Sequence, residues 1–335
     1  MSINDDRRYI LSGSLTQSMV DYLLAIEEFE PMDVLVSQLD RPGINKMLEY
    51  MEQGAVKSLF IDSGAYSIHS QGFEKVAKGR FTTVDAFIDE YIDYVNELDD
   101  KIIAVAQVDH IPGVFKQPKK PEDYVESAQS SWDNYLYMRP KMKSPEKLIS
   151  VFHQGESFDH LRRMVDWRGD NGEKLEYCGI SPSNDRTVGE KDIYLSNVYD
   201  FLRKTSQPDI HTHLFGYTSL PGLSKFPWYS CDSTSHRLRA AYCKIFTRKW
   251  GTISLSPTRD CKTRTDFPFY EVCDKATLEE FKNFLNHYHF TLDQVVEESA
   301  ARTAVDIMET LLYVKEHPYH PKNLSRSRKL FELPS

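Results

Sequence analysis

The sequence predicts an α/β protein, a (β/α)8 barrel (TIM barrel) carrying a small C-terminal helical appendage. Short apolar runs rich in Val, Ile and Phe alternate with amphipathic stretches of helical length, which implies βαβ units and a parallel sheet. About eight such units fit before residue 255, and a closed barrel of this kind takes about 250 residues. A doubly wound open sheet is the competing arrangement, but no Gly-x-Gly-x-x-Gly follows the first predicted strand. The barrel is assigned to residues 1–260 and the appendage to 261–335.

After a polar start, residues 17–28 read as a helix and 33–37 as a strand. A helix over 44–53 leads to the strand 58–61, which runs into Asp62-Ser63-Gly64-Ala65-Tyr66. Residues 83–98 form a strong amphipathic helix, with Phe87, Ile88, Tyr91, Ile92 and Val95 on one face and Thr83 as its cap. The strand 102–108 ends at Asp109, and a Pro- and Lys-rich loop over 112–121 follows. Helix 122–138, strand 148–153, helix 158–167, strand 175–180, helix 194–205 and strand 210–215 continue the alternation. The aromatic run from Phe226 reads as a strand ending at Asp232, followed by a helix over 237–248 and a strand over 251–255. Two helices are expected within 276–313.

Composition sets bounds. With 335 residues, 40% of them hydrophobic, the chain can bury one large core or two modest ones. No segment approaches the roughly 18 consecutive apolar residues of a membrane span, and residues 1–8 lack an apolar signal core. Cysteines at 178, 231, 243, 261 and 273 do not read as a disulfide framework, so a reducing, cytoplasmic compartment is expected. The net charge of −9 argues against coating nucleic acid by bulk attraction. It leaves room for a local basic groove, because affinity follows local phosphate contacts.

The residues that end strands form the informative set: Asp62, Asp109, Gln154, Gly179, Gly216 and Asp232. In a closed barrel all would meet at its C-terminal mouth. A lone Asp or Ser at such a place is often only a helix cap. Three carboxylates in one pocket are harder to explain structurally, since each is desolvated and each raises the others' pKa. One carboxylate as nucleophile and one as acid/base is what displacement at a sugar anomeric carbon requires. The third, with Gln154 and the backbone at Gly179, suits the edge of a heterocyclic base, and Tyr66 and Phe215 are placed to stack on its faces. Lys116, Lys119 and Lys120 read either as a solvated loop or as phosphate contacts.

These motifs resemble, in order, those of the tRNA-guanine transglycosylases (queuine tRNA-ribosyltransferases), over roughly residues 55 to 240. Asp62-Ser63-Gly64-Ala65-Tyr66 resembles the family's Asp-Ser-Gly-Gly-Tyr/Phe, and His153-Gln154-Gly155 its Val-Gln-Gly. Cys178-Gly179-Ile180-Ser181 resembles Gly-Gly-Leu-Ala, and His213-Leu214-Phe215-Gly216 resembles Tyr-Leu-Met-Gly. The resemblance implies Asp232 as nucleophile and Asp62 as acid/base. It implies base contacts from Ser63, Tyr66, Asp109, Gln154, Gly179, Ile180, Phe215 and Gly216. The expected activity is exchange of guanine in a polynucleotide for a free 7-deazaguanine base through a covalent glycosyl-Asp intermediate.

Three departures shape the expectation. Ala65 replaces the second glycine of the first motif, and Ser233-Thr234-Ser235-His236-Arg237 follows the nucleophile in place of a Pro-Thr-Arg pattern. The family's structural zinc is bound by a compact Cys-x-Cys-x-x-Cys cluster and a later His. Here Cys261, Cys273, His287 and His289 are spaced poorly for it, so no cofactor or metal is expected. The pattern resembles a divergent, largely phage-associated branch that modifies DNA. DNA is therefore the expected polymer, ahead of tRNA and its queuosine-type modification. A non-catalytic nucleic-acid-binding subunit and a hydrolase are the rival readings, and a homodimer is left open.

Overall fold

Eight parallel strands close on themselves, each hydrogen-bonded to the next in chain order and the last to the first. They are β1 (Arg8–Ser12), β2 (Met32–Ser37), β3 (Val56–Asp62), β4 (Ile102–Ala106), β5 (Leu148–His153), β6 (Tyr177–Ser181), β7 (His211–Leu214) and β8 (Ser230–Ser233). In this computed structural model, residues 7–255 and 267–319 are described. The domain boundary expected at 260 lies outside them. Among the described residues no helix is long and apolar enough to cross a membrane.

Strand alternation divides the core in two. Ile10, Phe60, Ala104, Ala106, Ile149 and Tyr177 pack inside the barrel, while residues such as Leu59, Ile61, Val105 and Ile180 turn outward under the helices. The helix Val84–Glu97 shows how its sequence dictates this packing. Thr83 accepts from Ala86 N–H as N-cap, and Phe87, Ile88, Tyr91, Ile92 and Val95 are buried. The Tyr91 hydroxyl lies 2.9 Å from the carbonyl of Ile61 and 3.0 Å from that of Ala106. It thus bridges the ends of β3 and β4 at the residue before Asp62.

The structure corrects the predicted elements in three places. The first barrel strand is Arg8–Ser12, within the start read as polar. Its charged first residue is neutralised across the sheet by Asp33, 3.2 Å away. The aromatic run before Asp232 is not the strand: Phe226 and Trp228 are buried as packing residues and β8 starts only at Ser230. Asp232 therefore lies inside a strand rather than at its end. The helix expected over 237–248 is the short Ser235–Ala241. After Cys243 takes a φ of 51°, the chain turns into β9 (Lys244–Thr247), which pairs antiparallel with β10 (Gly251–Ser254). The run 251–255 thus belongs to a hairpin and not to the barrel. Cys243 is also disulfide-bonded, at odds with the expectation of reduced cysteines throughout; Cys178, Cys231 and Cys273 are free.

The tail holds three main helices, Lys275–His287, Leu292–Glu297 and Ser299–Glu316, where two were expected. The last is buried continuously from Ala301 to Thr310, and two of its acids hold the hairpin to the barrel. Asp306 accepts two hydrogen bonds of 2.6 Å from Arg239 and one of 2.8 Å from Phe246 N–H. Glu309 accepts from Arg248 and from the Tyr288 hydroxyl. Asp306 is fully buried, so removing one partner strands a charge. Asp306→Ala is expected to destabilise the fold by about 3–5 kcal/mol, whereas replacing Arg239 and Asp306 together by apolar residues should cost much less. Urea denaturation midpoints of the two variants check this, and equal losses would refute it.

Candidate active site

A cavity of about 730 Å³ opens at the C-terminal mouth of the barrel. Six of the ten residues expected to act on or contact the base line it: Asp62, Tyr66, Asp109, Gln154, Phe215 and Gly216. Each is brought there by a local device. Past β3, Gly64 takes a φ of +80°, and a Cβ on it would sit 2.5 Å from Leu39, so only glycine fits. Its N–H donates to Asp62 Oδ2 at 3.0 Å and fixes that carboxylate. Ala65 opens the helix Ala65–Gln71, where ordinary helical φ makes a second glycine unnecessary. Tyr66 is half exposed and meets the edge of Phe115 at 6.1 Å. Phe215 lies across Gly179, where a Cβ would come within 2.5 Å of its ring. Gln154 Oε1 accepts from Ser183 N–H at 2.9 Å, which leaves its NH2 as the group able to meet a ligand.

Asp232 does not line the cavity. It is 8% exposed and stands one residue behind the wall, where Gly216 N–H donates to its Oδ1 at 2.7 Å. Ser12 Oγ, from β1 across the barrel closure, donates to Oδ2. His213 Nε2 lies 3.3 Å from Oδ1. That nitrogen makes no aligned hydrogen bond, so its influence on Asp232 is electrostatic. The other ring nitrogen meets Ser230 Oγ at 2.6 Å, and Ser230 in turn bonds the Tyr177 hydroxyl. A polar column therefore stands under Asp232.

The two carboxylates are driven apart. Burial alone would raise Asp232, but His213, Ser12 and Gly216 outweigh it and hold the group below the usual carboxylate range. Burial raises Asp62 to about 6, with Asp109 and Asp232 adding repulsion against the single opposing Gly64 N–H and the Ser37 hydroxyl. One acid that stays ionised beside one poised to carry a proton near neutrality is the arrangement that acid–base and nucleophilic chemistry share.

Other expected residues lie elsewhere. Ser63 is fully buried, with its carbonyl accepting from Gln38 Nε2. Gly179 sits beneath Phe215. Ile180 points into the outer core and its carbonyl accepts from Phe215 N–H; from this strand it is Ser181, and the loop to Asp185, that reaches the cavity. Lys116 and Lys119 line the mouth, whereas Lys120 starts the helix Pro121–Met138, its N–H bonded to Asp123. Cys261 lies outside the described residues. Cys273 is a free thiol, and His287 Nε2 lies 3.3 Å from Glu28. Among the described residues no group of three or more His, Cys, Asp or Glu is arranged to hold a metal ion.

Several residues of the site carried no separate weight in the sequence. His153 ends β5, lines the cavity and bonds Asp109 Oδ2 at 2.8 Å. Glu156 holds it from behind. Ser12 was hidden with its strand. The Arg237 side chain lies over Gly13, whose missing Cβ makes the room. The position of His153 directly before Gln154 was the one available signal.

Asp62 gives a test independent of any substrate. A carboxyl raised in the folded state binds more protons than in the unfolded chain, so its contribution favours folding below pH 4 and is lost as pH rises through about 6. Asp62→Asn should therefore be more stable than the wild type at pH 7, by about 1–2 kcal/mol, and no more stable near pH 4. Thermal melts across that range check it; a pH-independent difference would contradict it.

The sequence matches no family model, and no curated protein is detectably similar to it.

Proposed function

We propose that this chain is a base-exchange transglycosylase, replacing guanine in a polynucleotide, with DNA favoured, by a free 7-deazaguanine. The carrying observation is the pair of carboxylates held in opposite states, Asp62 on the cavity wall near its proton-exchange point and Asp232 ionised one residue behind that wall. Supporting it, Tyr66 and Phe215 offer aromatic faces, and Asp109 and Gln154 offer an acceptor and a donor, around a volume that accommodates a purine-sized ring. The order of motifs resembling the transglycosylases adds to this.

In this reading an Asp232 oxygen forms a bond to C1′ as the C1′–N9 bond to guanine breaks. Asp62 gives its proton to the departing base. The incoming base then returns a proton to Asp62 as its N9 attacks C1′ and releases Asp232. Two displacements at one carbon retain its configuration. Gly216 N–H and Ser12 Oγ would hold the carboxylate in line and take back its charge when the sugar leaves. The target nucleotide has to leave its stack to enter such a cavity, so single-stranded or flipped substrate is required.

For the polymer, Lys116 and Lys119 on one side of the mouth and Arg237 near the end of β1 supply local positive charge on an acidic chain. Labelled guanine offered with DNA or with tRNA tests the function. Exchange into DNA is expected, and Asp232→Asn should lower it by about a thousand-fold or more. Exchange into tRNA alone would reassign the polymer, and exchange into neither would refute the reading. Neutralising Lys116 and Lys119 together should reduce the log–log salt slope of binding by about 1.5–2 units. An unchanged slope would remove both lysines from the interface.

A further inference from the structure

Beside Asp109 the cavity wall contains a buried ionic cluster that the exchange chemistry above does not use. His153 is 5% exposed and Glu156 equally so. His153 Nε2 lies 2.8 Å from Asp109 Oδ2 and its Nδ1 lies 3.1 Å from Glu156 Oε1. The His153 backbone N–H donates to Glu156 Oε2 at 2.9 Å, and Ser127 Oγ lies 2.7 Å from Glu156 Oε1. A neutral imidazole has one donor nitrogen and one acceptor nitrogen, and an ionised carboxylate only accepts. With carboxylates on both sides, both ring nitrogens are satisfied only if His153 is an imidazolium. Glu156, with three donors around it, is the settled anion of the cluster.

We infer that His153 is a positioning residue that holds Asp109 by its Oδ2 and leaves its Oδ1 as an acceptor, so that the cavity selects a ring edge bearing N–H donors. The inference rests on the proposed base-exchange reading and adds a determinant of specificity to it. His153 itself has no free donor for a ligand. It takes Asp109 Oδ2 and leaves Oδ1, and the acceptor-only oxygen it leaves matches the N1–H and 2-amino edge of a guanine-type base. Hypoxanthine, which lacks the 2-amino group, should fit worse.

The surroundings give the charge state its sense. Asp109 approaches His153 from the β4 loop and Glu156 from its own loop; His160 and His69 oppose its charge weakly from neighbouring helices. Cys178 and Tyr194 face Glu156 and stay protonated. Burial alone would discharge His153, but Glu156 and Asp109 outweigh it and raise the group to about 10. Asp62, by contrast, changes charge near pH 6. The cluster thus separates holding the base from moving its proton.

Guanine and hypoxanthine binding to the full-length protein, without polymer so that no turnover occurs, tests this between pH 5 and 8. The wild type should prefer guanine throughout. His153→Gln keeps a donor but no charge. It should lose about ten- to a hundred-fold in guanine affinity relative to the wild type across this range, with the preference over hypoxanthine shrinking in step. In exchange assays its KM for the base should rise more than its kcat falls. A measurement needing no variant is the NMR titration of the His153 ring in the wild type, which should show no charge change over this range. A variant within twofold of the wild type at every pH, or a His153 that titrates between pH 5 and 8, would overturn the inference and leave the base-exchange reading standing. No guanine binding by the wild type would sink that reading and the inference with it.

Discussion

A carboxylate placed inside a barrel has to be satisfied by the barrel itself, and Asp232 is the group on which the rest of this mouth depends. Its two oxygens draw on both neighbouring strands at once: Ser12 at the end of β1, and His213 in β7 with the Gly216 N–H just past it. An ionised carboxylate left without such donors would cost several kcal/mol and would take up a proton instead. The contact between Ser12 and Asp232 exists only because β1 pairs with β8, with Ile10 opposite Asp232. Closure of the sheet and the charge state of the proposed nucleophile are therefore one constraint.

The other two carboxylates show that position in the fold, not residue type, sets behaviour. Asp62 has a backbone N–H and a hydroxyl, and feels the charges of Asp109 and Asp232, so it rises. Asp109 has an imidazolium against one oxygen. Three aspartates at one mouth thus receive three different partners: hydroxyl and backbone donors, mutual repulsion, and a fixed cation. That differentiation lets identical side chains take different tasks.

Much of this was legible in the sequence, and what was not has physical causes. The alternation of apolar runs and amphipathic helices announced the barrel because every strand and helix repeats a local pattern. Asp62, Asp109 and Gln154 were legible because strand ends are marked by the loss of that pattern. Strand β1 was missed because it is five residues long and opens on an arginine whose burial depends on Asp33, which only the folded sheet brings near. The β9–β10 hairpin was misread because its apolar positions serve contact with the last helix, not a helical period of their own. Ser63 and Ile180 were overread, since side chains on alternate residues turn away from the cavity. The pairing of Ser12 with Asp232 joins the first and last strands of the barrel, 220 residues apart in the chain, a relation that no local pattern encodes.

The polar column beneath Asp232 raises the question of how the barrel tolerates it. Barrel interiors are commonly filled with branched apolar residues; here Tyr177, Ser230 and His213 occupy positions that such residues would fill. A partly satisfied polar network is worse than an apolar core; Tyr177, Ser230 and His213 Nδ1 are linked to one another, and His213 Nε2 is left facing Asp232 at 3.3 Å. Phe60 meets the His213 ring edge-on at 4.7 Å and Phe215 meets it at 4.3 Å, which fixes the imidazole without adding charge. Burial then keeps His213 neutral, and a neutral ring can lean on Asp232 without becoming a full counter-ion. A full counter-ion would quench the proposed nucleophile. The barrel thus uses two histidines in opposite ways: one kept neutral beside the proposed nucleophile, one charged beside Asp109.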